Sequence, residues 1–189
     1  MDMLQKALEF ATAAHSGQVR KYTGEPYVNH CIEVVKILMH HGYCSAENEN
    51  MLCAAMLHDT VEDTDVTFQD IKAMFGDRVM HLVFFVTDVV GKEQGNRATV
   101  IDLNSHHIIS TPYTESLIIK CADIISNTSS IVERDPKFAP IYLDEKNRLL
   151  SRMQALHPWI KRTTIWCRAY ATTTLWSCKK DVANAKTLR

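Results

Sequence analysis

Residues 54 to 64 read AAMLHDTVEDT, a small and apolar approach that ends on His58, Asp59, Glu62 and Asp63. If this segment is helical, or only slightly unwound, positions four apart share a face, so His58 stands over Glu62 and Asp59 over Asp63. One imidazole and three carboxylates then converge. Carboxylates crowded together repel one another and resist desolvation, which costs several kcal/mol unless a cation or a shared proton offsets it. A divalent ion is the simplest remedy, and mixed nitrogen and oxygen donors suit Mn(II), Fe(II), Co(II) or Zn(II) better than Ca(II). Spacing alone leaves a plainer reading open, in which His58 and Asp59 cap a helix end and EDTD is a solvated acidic turn. Two distant residues weigh against it: His30, near the start of another helix, and Asp123, in an otherwise apolar helical face where an unpartnered carboxylate is costly to bury.

The elements that must position these residues are helical in period. Leu4, Ala7, Leu8, Ala11 and Ala14 predict a first helix to about Ser16, closed by Gly17. A loop holding Gly24 and Pro26 leads to a helix that carries Ile32, Val35 and Leu38. Ser45 is the expected N-cap of a helix over 46–59, with Leu52, Ala55 and Met56 inward and His58 and Asp59 on its last turn. Thr67 and Asp70 have capping-box spacing, Gly76 can stop that helix, and Asp77 can cap the next, whose Val79, Leu82, Val83 and Val86 are core-like. GKEQGN, residues 91–96, is the expected mobile connection before a helix over 97–109. After Pro112, Leu117, Ile118, Cys121, Ile124 and Ile125 predict a helix broken by Pro136, with Asp123 and Asn127 one turn apart on one side. Two further helices, about 141–156 and 159–178, are separated by His157-Pro158, and the tail from Lys179 reads as polar and frayed.

A chain of 189 residues suits one ordinary domain with one active site. With 21 Lys+Arg against 22 Asp+Glu, the formal charge of −1 gives no global field for DNA, RNA or a membrane surface and leaves a small polar ligand open. No stretch approaches the roughly 18 to 20 apolar residues of a membrane span, and MDMLQKALEFATAAH is charged where a signal peptide needs an apolar core. A cytoplasmic protein is expected. The six cysteines form no C-x-x-C pair, which disfavours a zinc ribbon, and are read mostly as buried thiols in a reducing compartment. His15, His40, His41, His81, His106, His107 and His157 are read as having no chemical role, and Trp159, Trp166 and Trp176 as core or interface.

In four separated motifs, GQVRKYTGEPYVNH, AAMLHDTVEDTDVT, FGDRVMHLVFFVTDV and KCADIISN, the chain resembles the HD-type hydrolases of the RelA/SpoT family, especially their small single-domain alarmone hydrolases. The motifs run in consistent order over about residues 3–135, and the C-terminal third matches only in being helical. The resemblance implies an all-α HD bundle over 1–189, with one metal between helices. Carried over position by position, it implies His30, His58, Asp59 and Asp123 as ligands of a metal that in this family is usually manganese. It implies Glu62 and Asp63 as the pair that positions the attacking water and handles protons. Arg20, Lys21 and Asn127 match nucleotide-pocket residues, as does Tyr27 through GEPY. Two departures stand out. Cys31 follows the first histidine where the family commonly has proline, and VVGKEQGNRATVIDLN aligns poorly with the basic segment that usually binds the pyrophosphate, leaving Lys92 and Arg97 as candidates.

The implied reaction is metal-assisted removal of the 3′-pyrophosphate from guanosine tetra- or pentaphosphate, the metal lowering the pKa of a water and polarising a phosphoryl oxygen. Arg20 and Lys21 would stack on or hydrogen-bond the guanine, a solvated basic pair being the alternative. One domain leaves no room for a synthetase, so degradation alone is expected. Two other functions remain open. One is phosphatase action on another nucleotide, such as the 2′-phosphate of NADPH; the other is a degenerate HD domain that senses an alarmone or binds a partner without turnover, against which the retained Glu62 and Asp63 argue. A homo-oligomer is compatible with the sequence.

Overall fold

The computed structural model describes residues 2–174, apart from the side chain of Lys92. Eight helices follow in order: α1 (Met3–Ala14), α2 (Val28–His40), α3 (Glu49–Leu57), α4 (Thr60–Asp63), α5 (Phe68–Phe84), α6 (Arg97–Ile109), α7 (Thr114–Arg134) and α8 (Ala139–Leu156). A further helical stretch covers 164–174, and 3-10 turns form at Ala46–Asn48, Lys92–Gln94 and Ile160–Arg162. Among the described residues there is no strand, only an isolated bridge between Val19 and Pro26. None of these helices is long and apolar enough to cross a membrane.

The centre of the bundle is α3, buried at every position from Met51 to Leu57 and packed against α1, α2, α5 and α7. A helix apolar all round belongs inside, and its end is thereby fixed deep in the protein. The predicted helix over 46–59 is split: Ser45 opens a 3-10 turn, α3 stops at Leu57, and a single turn, α4, follows His58 and Asp59. Side chains take over the carbonyls at this break. His58 Nδ1 bonds the Ala55 carbonyl at 2.9 Å, and the Thr60 hydroxyl donates to that of Leu57 at 2.7 Å.

Elsewhere the local signals act as their chemistry dictates. The Thr67 and Asp70 capping box forms in full, and α5 bends at Gly76, whose φ of +85° lies in the left-handed region open to glycine. Asp77 pairs with Lys72 Nζ at 2.7 Å. GKEQGN folds into a 3-10 turn, and Asn96 accepts the Thr99 N–H at 3.1 Å to start α6. Pro140 lies in the first turn of α8, where its missing N–H has no helical partner to lose. Cys31, Cys53 and Cys121 are buried as expected, but Cys44 and Cys167 are exposed, each lying outside the packed helix faces. Trp166 is buried and stacks on Tyr170, and Trp159 packs on the same core. Trp176, Cys178 and the tail from Lys179 lie outside the described residues.

Candidate metal centre and adjoining cleft

Helix α2 brings His30, the break after α3 brings His58, and α7 brings Asp123 to one buried point, with the half-buried Asp59 beside it. His30 Nε2 lies 3.4 Å from Asp59 Oδ2 and 3.3 Å from Asp123 Oδ1; His58 Nε2 lies 3.1 and 3.8 Å from the same oxygens. Both imidazoles are wired alike at their other nitrogen. Ser126 Oγ gives its proton to Glu33 Oε2 at 2.7 Å, so it accepts from His30 Nδ1 at 3.0 Å; His58 Nδ1 donates to the Ala55 carbonyl. Each Nε2 is therefore the atom that must take either a proton or an ion, and each is buried without a hydrogen-bond partner among the described residues.

The electrostatics agree. Burial opposes charge on His30, yet the Asp123 and Asp59 carboxylates hold its imidazole up to about 9, and His58 is raised in the same way. Despite desolvation, His58 and His30 hold Asp59 well below the usual carboxylate range, and Lys120 with both histidines does the same for Asp123. His30, His58 and Asp123 form a buried group compatible with a divalent metal ion, and Asp59 borders it with Oδ2 3.4 and 3.1 Å from the two Nε2 atoms.

Neighbouring groups orient this set. The Tyr27 hydroxyl donates to Asp59 Oδ2 at 2.8 Å, and Asn127 Nδ2 donates to Asp123 Oδ1 at 2.5 Å. Arg20 sits behind them, reaching Glu33 at 3.2 Å and Asn127 Oδ1 and Ser130 at 3.3 Å. Lys120, not singled out from the sequence, is buried with Nζ 3.1 Å from Asp123 Oδ2 and 3.4 Å from the Val86 carbonyl. A lysine three residues before an aspartate inside an apolar face was its available signal. Two buried residues also border the cluster. Cys31 lies close enough to His58 and Asp59 to share a donor set with them, and the His15 ring lies 4.8 Å from that of Tyr27. Lys21 points elsewhere, exposed and 3.9 Å from Asp135.

Beside the cluster opens a cavity of about 870 Å³ whose lining includes Glu62, Asp63, Asp88, Arg97, Tyr142 and Lys146. Glu62 Oε2 accepts the Asp88 N–H at 3.0 Å. Desolvation in the cleft, then the Asp88 carboxylate, push the Glu62 acid up to about 7; desolvation and Asp59 raise Asp63. One wall is pinned by Asn104, a buried α6 residue that sequence reasoning missed, which accepts the Val89 and Val90 N–H groups at 3.0 and 2.9 Å. Arg97 borders the cavity but is clamped by Glu145 through two 2.8 Å hydrogen bonds and lies over Phe138. The side chain of Lys92 lies outside the described ones.

A helical bundle that gathers a histidine, a His-Asp pair and a distant aspartate around one point is the arrangement of an HD domain, and the HD domain family model matches residues 7–108. Guanosine-3′,5′-bis(diphosphate) 3′-pyrophosphohydrolase from Aquifex aeolicus (strain VF5) is 30% identical over 165 residues, 86% of this chain but 22% of that protein. Guanosine-3′,5′-bis(diphosphate) 3′-pyrophosphohydrolase MESH1 from Drosophila melanogaster is 36% identical over 132 residues, 69% of this chain and 70% of that one. The chain spans 47% of the Danio rerio protein of the same name. A solved structure described as a metazoan ortholog of SpoT that hydrolyzes ppGpp shares the fold, with a TM-score of 0.77 at 24% identity over 94% of this chain and 96% of that one. The chain belongs to the HD-domain family, in its RelA/SpoT-type group.

Proposed function

We propose that this chain is a single HD hydrolase domain that removes the 3′-pyrophosphate of guanosine tetra- or pentaphosphate in the cytoplasm, with Mn(II) as its metal. The observation that carries the reading is the pair of unpartnered Nε2 atoms facing Asp59 and Asp123, beside a cleft whose Glu62 is held up to about 7. The names of the Aquifex and Drosophila relatives supply the substrate class.

His30, His58, Asp59 and Asp123 would hold the ion. When bound, it supplies Lewis-acid charge at the phosphoryl oxygens and a more acidic water. Glu62, poised near neutrality, takes the proton of the attacking water and returns it to the 3′ oxygen. The water oxygen bonds to the phosphorus, the bond from that phosphorus to the 3′ oxygen breaks, and GDP or GTP and pyrophosphate depart. Tyr27 orients Asp59, while Asn127 and Lys120 hold the two oxygens of Asp123. Arg20 tightens this frame through Asn127, so its part in guanine binding is secondary to its structural one.

Incubating the purified protein and Mn(II) with guanosine tetraphosphate, NADPH and other nucleotides, and resolving products by chromatography, tests the proposal. GDP and pyrophosphate are the expected products. Release of phosphate from NADPH alone, or no turnover by metal-loaded protein, overturns it.

A further inference from the structure

A polyphosphate entering the cavity meets more acid than base, for Glu62, Asp63, Asp88, Glu93 and Glu145 share its lining with Arg97 and Lys146. Phosphoryl oxygens need cationic or strongly donating partners, and a single divalent ion does not neutralise a pyrophosphate. Arg97 is already matched by both oxygens of Glu145, and Lys120 lies buried against Asp123. Among the described side chains of the lining, Lys146 is the cation that forms no ion pair. Its Nζ rests 5.4 Å from the centre of the Tyr142 ring, one helical turn away on α8.

Tyr142 supplies an independent observation. Its side chain lines the same cavity, the residue is only 7% exposed, and its hydroxyl has no hydrogen-bond partner among the described residues. Thr128, the nearby hydroxyl, gives its own proton to the Ile124 carbonyl at 2.6 Å, and its oxygen lies outside hydrogen-bond geometry for the phenol. A buried O–H left without an acceptor is unfavourable unless a ligand provides one.

We propose that Lys146 and Tyr142 bind the oxygens of the substrate's departing pyrophosphate, making α8 the anion-recognising wall of the cleft. This deepens the functional reading above and rests on it for the identity of the ligand. The ammonium contributes charge and the phenol a fixed donor.

Binding is best read in a Glu62→Gln background, which holds ligand without consuming it, by calorimetry in Mn(II) with guanosine tetraphosphate and with GDP. Adding Lys146→Ala should weaken guanosine tetraphosphate by about tenfold to a hundredfold, the range for a charged hydrogen bond, and leave GDP within about threefold. Lys146→Arg should restore most of the loss, and Tyr142→Phe should weaken the tetraphosphate alone by a smaller factor. Thermal melting of each variant separates lost binding from lost folding. Unchanged tetraphosphate affinity in Lys146→Ala, or equal weakening of both ligands, overturns the assignment. Wild-type turnover is measured in parallel: its absence sinks the functional reading, whereas normal turnover with unchanged binding in Lys146→Ala sinks only this inference.

Discussion

Around His30, His58, Asp59 and Asp123 each reactive group has a dedicated holder in Ser126, Ala55, Tyr27, Asn127 or Lys120, whereas across the cavity Arg97 is held by Glu145 and Lys146, among the described residues, by no carboxylate. The first region is over-determined: its holders come from α3, from α7 and from the turn before α2. The second is a set of charges on α6 and α8 that can be exchanged with little effect on the core. On the functional reading proposed above, chemistry and substrate choice would fall in different parts of the fold, and substitutions should separate them.

The largest effect should follow from removing a ligand. His58→Ala or Asp59→Ala deletes one member of a set whose remaining carboxylates lose their offset, so the protein should lose its metal altogether. Elemental analysis after dialysis checks this, and full metal content in either variant would dismantle the cluster assignment.

Next comes the proton-handling step. Glu62→Gln should keep the metal and lower turnover by about 10² to 10⁴-fold. Because the Glu62 acid is raised to about 7 and must be ionised to accept a proton, kcat/KM should climb with pH up to that value and level off above it. The climb should vanish in the glutamine variant. A wild-type profile that is flat through neutrality would return Glu62 to the role of a solvated turn residue.

The same contrast explains what was legible in the sequence. His58 and Asp59 announce themselves because an apolar run delivers them, and Asp123 because it breaks an apolar face. The helix break at Leu57 was not visible, since it depends on side chains of His58 and Thr60 competing for backbone carbonyls. Arg20 was singled out from the sequence for the nucleotide but not as a brace, because Asn127 and Ser130 are 107 and 110 positions away. On α8 the helical period was plain, yet periodicity does not say which cavity Tyr142 and Lys146 will line. The C-terminal third carried no motif, yet its Tyr142, Glu145 and Lys146 line the cleft.

A smaller effect is expected from the ligand holders. Tyr27→Phe removes the 2.8 Å hydrogen bond to Asp59 but keeps the ring against His15, so metal affinity should fall by about 10- to 100-fold with the fold intact. Competition with a chelator measures it, and unchanged affinity would show that Asp59 is held by its backbone alone.

The smallest effect concerns Arg97, a candidate for the pyrophosphate on sequence grounds. Its guanidinium already satisfies both oxygens of Glu145, a residue whose side chain is largely buried, so its first consequence for the cleft is to cancel that carboxylate. Arg97→Ala should therefore raise KM for guanosine tetraphosphate only a few-fold, because the freed Glu145 repels the incoming phosphates, an interaction on the order of 1 kcal/mol near water. Removing the repelling group as well decides between the two roles. If Arg97 acts through Glu145, the Arg97→Ala, Glu145→Ala double variant should return KM close to the wild-type value. If Arg97 meets the substrate itself, the double variant should bind as poorly as the single one, and α6 would join α8 as a specificity wall.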